Sequence, residues 1–387
     1  MYEMLKGLRV LDLTAIVLGP YATQIIGDFG AEVLKIEQPS GDLFRTVRPG
    51  RSGNMGAGYL NLNKNKKSVV LDLKSAEDKE AFFKLVTTAD VVVHNMRPSA
   101  AKKLGIDFEA LKAYKPNLVY CTAAGYGQDG PKANEPAYDD IIQASSGIAS
   151  LNANERGEPR FLPTIICDKV GGLHLAIAIL GGIAYQARTG KGCQIEAPMF
   201  ETMVSFLMVE QMAGMSFEPP LGGIGYDRLL SPFRRPFETQ DSYVAVLPYN
   251  GKHWAAFLRY AEREELADAE WVQDPIERSE KIGKLYEVVA EVMPTRTTAV
   301  WLEILRGLDI PCAPINDLTD LFDDPHIQEV GLFQSFNHPT EGQLKTCRSP
   351  FRVNGVPEQS DGLAPNVGEQ SKEVLSGGSM PVSEGNS

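Results

Sequence analysis

Across residues 1–200 the chain alternates short apolar runs with segments whose apolar residues recur every three or four positions. The runs Leu8–Thr14, Ala31–Glu37, Ser68–Leu73, Asp90–His94 and Asn117–Cys121 have the length and the Val, Leu and Ile content of buried strands. Between them, Pro20 to about Phe29 predicts a helix opening on proline, Ala76–Thr88 predicts another, and two shorter helical pieces precede Asn117. Apolar strands separated by helices predict an α/β architecture, a doubly wound parallel sheet covered on both faces. Such sheets hold ligands beyond the carboxyl ends of their strands. Four loops therefore draw attention: 15–20, 38–42, 95–98 and 123–130.

The longest helical pattern runs from Lys169 to about Arg188, carried by Val170, Leu173, Ile177, Leu180 and Ala184 and stopped at Thr189-Gly190. Asp168 stands at its start. A carboxylate there accepts backbone N–H groups, and the helix dipole favours its ionised form. We take Asp168 as the candidate nucleophile; an ordinary capping aspartate has the same signature. Gly171 and Gly172, one turn on, predict bare backbone that lets a ligand approach.

Beyond about residue 187 the texture changes. A methionine-rich helix, Met199 to Met215, leads into the linker-like run Glu218-Pro-Pro-Leu-Gly-Gly-Ile-Gly225. Strands around Phe237–Val246 with a turn at Gln240-Asp-Ser follow, then helices at Lys252–Ala261, Ile276–Val292 and Thr297–Leu308. The expected organisation is a large domain over 1–200, a linker over 201–224 and a small α+β domain over 225–325. The chain then returns to the large domain over 326–376 and ends in a flexible tail over 377–387.

A length of 387 residues exceeds one ordinary core, and 43% hydrophobic with 23% charged residues is a globular composition. No contiguous apolar run reaches membrane-spanning length, and the first residues lack the layout of a signal peptide, so the expectation is a cytoplasmic protein without a membrane partner. A formal net charge of −12 argues against nucleic acid and requires a local basic pocket for any anionic ligand. The five cysteines are scattered without a C-x-x-C pair, and the five histidines form no ligand spacing, so neither a disulfide framework nor a metal site is predicted. Cys167 is predicted to be an inert packed thiol, and Asp139 and Asp140 to start a helix. A nicotinamide enzyme is the obvious competitor, with Glu37 where a ribose-binding acid would stand. The first loop, however, has Gly19 alone in place of G-x-G-x-x-G.

The order of several motifs adds to this reading. They are Leu5-Lys-Gly-Leu-Arg-Val-Leu-Asp-Leu-Thr14 with Gly19-Pro20, Gly30-Ala-Glu-Val-Leu-Lys-Ile-Glu37 with Gly41-Asp42, Asn61–Ser68 with Leu71–Lys74, and Asp90–Asn95. Further on stand Gly125–Pro131, Tyr138-Asp139 with Gln143, Asp168, Thr189–Gly192, Asp324-Pro325 and Gly368-Glu369. In this order they resemble the class III CoA-transferases, the group that includes formyl-CoA and carnitine CoA-transferases and the alpha-methylacyl-CoA racemases. The likeness runs from about Leu5 to Leu375. It implies a Rossmann-like large domain, an interlocked-ring homodimer, coenzyme A as a co-substrate with no tightly bound cofactor, and acyl-CoA and carboxylic acid substrates. The family's nucleophile falls on Asp168. Its CoA contacts fall on Ile16, Val17, Leu18, Leu71, Asn95, Met96, Lys103 and Leu104, and its tyrosine near the thioester on Tyr138.

Around those positions Lys64, Lys66, Lys67, Arg97, Lys102 and Lys103 are candidates to meet the CoA phosphates, and Gly125 and Gly127 to stabilise an oxyanion. The expected reaction moves CoA from an acyl-CoA donor to a carboxylic acid, with a dicarboxylic acid as the expected acceptor, through anhydride and aspartyl-CoA intermediates. Arg228, Arg234 and Arg235 are candidates for a second carboxylate. The alternative within the family is a racemase, which would require a histidine where this chain has Tyr138.

Overall fold

The computed structural model describes residues 1–358 and 362–377. It divides into two compact units, Met1–Leu207 with the chain from Val330 onward, and Met208–Glu329. The first is built on parallel strands β1 (Arg9–Asp12), β2 (Glu32–Glu37), β3 (Lys66–Val70), β4 (Val91–His94), β5 (Val119–Thr122) and β6 (Cys193–Glu196). Their order is β3-β2-β1-β4-β5-β6, with every pair parallel. The order reverses between β1 and β4, the place where sheets of this kind open a ligand crevice.

The apolar runs are explained by burial on both faces. Val10, Val33, Val91 and Val119 point into one core, and Leu11, Leu34, Val92 and Tyr120 into the other. Sequence pattern missed β6: Cys-Gln-Ile-Glu alternates half-buried and exposed positions at the sheet edge, too short and too polar to stand out.

Around the sheet lie helices α1 (Leu18–Asp28), α2 (Ala76–Thr87), α3 (Pro98–Leu104), α4 (Asp139–Ser146), α5 (Ile166–Thr189) and α6 (Met199–Gln211). Contrary to the expectation from contiguous runs, α5 is long and apolar enough, by length and composition alone, to cross a bilayer. Its Val170, Leu175, Ala176 and Ile179 lie in the core shared with α1 and β5. Gly171 and Gly172 make that packing possible. A Cβ on Gly171 would fall 2.7 Å from the Leu18 side chain, and one on Gly172 2.7 Å from the Leu18 carbonyl oxygen. The two glycines admit a helix, not the ligand that the sequence suggested.

The second unit is α+β. Its strands β7 (Phe237–Glu238), β8 (Tyr243–Val246) and β9 (Cys312–Pro314) form an antiparallel sheet. Helices Gly251–Tyr260, Ile282–Val292 and Thr298–Gly307 pack Trp254, Phe257, Tyr286 and Trp301 around it. It begins at Met208 where the sequence had placed a linker, because α6 stays helical to Gln211. After Val330 the chain forms the hairpin β10 (Phe333–His338) and β11 (Gly342–Cys347). It then covers the β3 edge, where Ser68 N–H donates to Gln370 Oε1 and Val70 N–H to Ser371 Oγ. Residues 378–387 of the expected tail lie outside the described residues.

Candidate active site

Loop 14–17, after β1, is pinned at three consecutive residues. Thr14 N–H donates to Asp12 Oδ1 at 2.9 Å. Ala15 exchanges two bonds with the Asn95 side-chain amide, donating to Oδ1 at 3.0 Å and accepting from Nδ2 at 2.9 Å. Ile16 N–H donates to Asp42 Oδ1 at 3.0 Å. Ile16 has φ +71°, a left-handed conformation that a β-branched residue adopts only when its surroundings impose it. It makes the sharp turn that a glycine-rich loop would make elsewhere, which is why no G-x-G-x-x-G appears.

The carboxylates that impose this turn are held by buried cations. Lys35 Nζ lies 2.9 Å from Asp42 Oδ2 and donates to the Thr14 carbonyl at 3.0 Å. Lys66 Nζ lies 3.1 Å from Asp12 Oδ2 and also donates to Pro20 O, Thr23 Oγ1 and Asn63 Oδ1. Burial alone would raise the Asp12 carboxyl. Lys66, Lys35 and the Thr14 and Thr23 hydroxyls outweigh it and hold the group at about 2. Glu37, the candidate ribose acid, accepts from Arg45 at 2.7 and 2.8 Å, from Ser68 Oγ at 2.6 Å and from Asp42 N–H at 2.9 Å. Both oxygens are engaged inside the protein, which removes the main support for a nicotinamide site.

Beside this loop, at the carboxyl ends of β1, β2 and β3, opens a cavity of about 240 Å³. Ala15, Leu71, Leu73, Met96 and Leu104 line it with Thr14, Gln38 and Asp72. Three expected contacts, Leu71, Met96 and Leu104, thus converge. Asn95 does not line the cavity but holds its loop. Val17 and Leu18 are buried, and Leu18 packs on α5. Arg97 and Lys103 are exposed at either end of α3, with Arg97 donating to the Asn134 carbonyl at 3.3 Å. Lys64 and Lys66 are buried and bonded within the fold, and Lys67 pairs with Glu32 and Glu373; none of the three faces the cavity. The larger hollow of about 1060 Å³, among Arg9, Glu32, Lys67 and Lys84, opens at the amino-terminal edge of the sheet, away from these loops.

Asp168 occupies the third position of α5, and its helix has no capping side chain of its own at Ile165. The cap comes from α4. Asp139 Oδ1 accepts from Cys167 N–H at 2.7 Å and from Asp168 N–H at 3.0 Å, and its Oδ2 accepts from Gln143 Nε2 at 2.7 Å. Gln143 Oε1 in turn accepts from Leu162 N–H at 2.8 Å, which fixes the approach to the helix. Asp139 does start a helix, as expected; its side chain also reaches a second one, which adjacency in sequence could not reveal.

Asp168 is half-buried, and among the described residues neither carboxylate oxygen has a hydrogen-bond or ion-pair partner. Burial, followed by the Asp139 charge, pushes its carboxyl up to about 7. The carboxylate that the helix dipole was expected to keep readily ionised is therefore one held basic. Tyr138, adjacent to Asp139, is 64% exposed. Gly125 presses on Ala137, where a Cβ would fall 2.3 Å from the alanine methyl, so the 123–130 loop borders the same place. Gly127 N–H is taken by Glu201 Oε1 at 2.9 Å and is not available to an oxyanion. Cys167 is fully buried, and desolvation, then Asp139 and Asp168, pushes its thiol up to about 12. In the native protein at pH 8, iodoacetamide should label exposed Cys347 and leave Cys167 unlabelled until unfolding, as peptide mass spectrometry would show.

With that geometry in place, the comparisons define the class. The family model for CoA-transferase family III matches residues 5–371, and the chain belongs to that family. The human succinyl-CoA:glutarate CoA-transferase is 29% identical over 96% of this chain and 85% of its own length. The succinyl-CoA:mesaconate CoA-transferase of Haloarcula marismortui is 31% identical over 96% of this chain and 95% of its own. Among solved structures, an aspartate-to-alanine variant of Rv3272 from Mycobacterium tuberculosis superposes with a TM-score of 0.84 at 25% identity, covering 96% of this chain and 98% of that one.

Proposed function

We propose that this class III CoA-transferase moves CoA from an acyl-CoA donor to a dicarboxylic acid, with Asp168 as the covalent carrier. The observation that carries the proposal is a desolvated carboxylate, unpartnered among the described residues, in the first turn of a long helix. Two relatives that act on succinyl-CoA with glutarate or mesaconate supply the substrate class.

In the first step an Asp168 oxygen attacks the donor thioester carbonyl and expels CoA thiolate, leaving a mixed anhydride. The thiolate attacks the aspartyl carbonyl and releases the donor acid, which gives an aspartyl-CoA thioester. The acceptor carboxylate displaces the thiolate to form a second anhydride. CoA thiolate then attacks the acceptor carbonyl, forming the product thioester and restoring Asp168. One thioester is exchanged for another, so no nucleotide is hydrolysed. Half-burial protects both anhydrides from water.

The cavity lined by Leu71, Met96 and Leu104 suits a flat apolar end of CoA, and Arg97 and Lys103 offer charge to its phosphates. Gly125 packs on Ala137, which precedes Tyr138 and the Asp139 that caps the carrier's helix. No observation favours proton transfer over CoA transfer. His174 Nδ1–H is bonded to the Val170 carbonyl at 2.8 Å, and Tyr138 stands where a racemase would require a histidine. As in the family, a homodimer is the proposed assembly.

Two measurements address this reading. Incubation with succinyl-CoA and hydroxylamine, followed by digestion, should yield a hydroxamate at Asp168; a site of modification elsewhere, or none despite turnover, contradicts it. Asn95→Ala should raise KM for the acyl-CoA about tenfold with little change in kcat, because Ala15 loses both its fixing bonds. Initial rates over a range of donor concentration check that split.

A further inference from the structure

We propose that Asp139 is a positioning residue that keeps the Asp168 carboxylate strongly nucleophilic by occupying, with a negative charge, the helix-end N–H groups that would otherwise stabilise the Asp168 anion. The inference rests on Asp168 as carrier and goes beyond it by assigning the source of its reactivity.

The first turn of a helix presents free N–H groups and a partial positive charge, which together stabilise an anion nearby. An aspartate in that turn is thereby made a weaker base and a weaker nucleophile. In α5 the amides of Cys167 and Asp168 are already satisfied by Asp139 Oδ1, so the helix end is neutralised before substrate arrives. Among the described residues the hydrogen bonds to the Asp139 carboxylate come from N–H donors, the third from Gln143. The shift of Asp168 to about 7, from burial first and Asp139 second, agrees with this arrangement.

Among the described residues no other charged group offsets it. On α5 itself, Lys169 turns to Thr164 Oγ1 at 2.6 Å and His174 to the Val170 carbonyl. On α4, Asp140 is exposed; on α6, Glu201 accepts from Gly127 N–H; and α1 meets this part of α5 with Leu18 and Tyr21. Gln143 binds Asp139 and the 162–164 backbone, which locks the capping carboxylate in place.

Asp139→Asn removes the charge while its side-chain oxygen can still accept both amides; it also loses the bond from Gln143 Nε2, a loss that Gln143→Ala measures by itself. In wild type, kcat/KM for succinyl-CoA with glutarate as acceptor should fall below a pH of about 7, where Asp168 becomes protonated. In Asp139→Asn that limb should move down by about one pH unit or more, with a lower plateau. Gln143→Ala, which keeps the charge, should lower Tm and leave the limb near its wild-type position. An Asp139→Asn limb superimposed on wild type overturns the proposal.

If Asp139→Asn does not fold, Asp139→Ser takes its place, since its hydroxyl oxygen can accept a helix-end amide without carrying charge. A limb moved down supports the proposal, and one superimposed on wild type overturns it. Hydroxamate at Asp168 together with an unmoved limb refutes this inference alone. Absence of hydroxamate refutes the carrier itself.

Discussion

Asp168→Asn is expected to reduce CoA exchange by at least about 10⁴-fold, because loss of a covalent carrier removes every later step along with the first. The fold should survive, since the side chain makes no hydrogen bond within the described residues. Its thermal stability should even improve at pH 8. The native carboxyl is held at about 7 against about 3.9 in an unfolded chain. Ionisation is thus easier when unfolded, and stability falls as pH rises from about 4 to about 7. Removing the carboxyl relieves a cost that is fully present at pH 8 and absent below about 4. Calorimetry at both pH values should show a raised Tm at the higher and none at the lower. Retention of wild-type exchange would exclude Asp168 as carrier, and an unchanged Tm at pH 8 would exclude its desolvated state.

The largest structural effect is expected at Lys66. Replacement by methionine fills similar volume but removes the ammonium that contacts Asp12, Pro20 O, Thr23 and Asn63. Asp12 is fully buried, and breaking one side of a buried pair costs about 3–5 kcal/mol. Lys66→Met should lose about that much in urea unfolding, and Lys66→Met with Asp12→Asn should recover part of it. The wild-type pair also sets an acid limit. With Asp12 held at about 2, below its unfolded value, its contribution is present above about pH 4 and is lost as pH falls towards 2. Because Asp12 also accepts from Thr14 N–H, both variants should raise KM for acyl-CoA beyond the stability loss. A Lys66→Met protein as stable as wild type would show that Lys35 alone suffices for Asp12.

The parts legible in sequence were those written in local pattern. The parallel sheet followed from runs such as Val91-Val92-Val93, buried on both faces, and α5 from its apolar content and its stop at Gly190, although of the periodic residues Leu173 and Ile177 are exposed and the buried face is Val170, Leu175, Ala176 and Ile179. The motif order placed Leu71, Met96 and Leu104, which do meet around one cavity. What escaped depended on contacts distant in sequence. Lys66 reads as one of several cations able to meet the CoA phosphates until a residue 54 positions away proves to be its partner. Asp139 reads as a helix start until its carboxylate is found capping α5. Gly171 and Gly172 read as a ligand approach because a sequence does not show which neighbour fills the space left by a missing Cβ. Asn95 reads as a CoA contact, but its amide binds Ala15 and holds the loop beside the cavity.

The most direct test follows one oxygen atom. If the acceptor acid attacks an aspartyl-CoA thioester and CoA then attacks the acceptor carbonyl, one acceptor oxygen must remain on Asp168. Turnover with succinyl-CoA and glutarate labelled with oxygen-18 in both carboxylates should therefore deposit label in the peptide that carries Asp168. Full turnover with an unlabelled Asp168 peptide would contradict the covalent carrier.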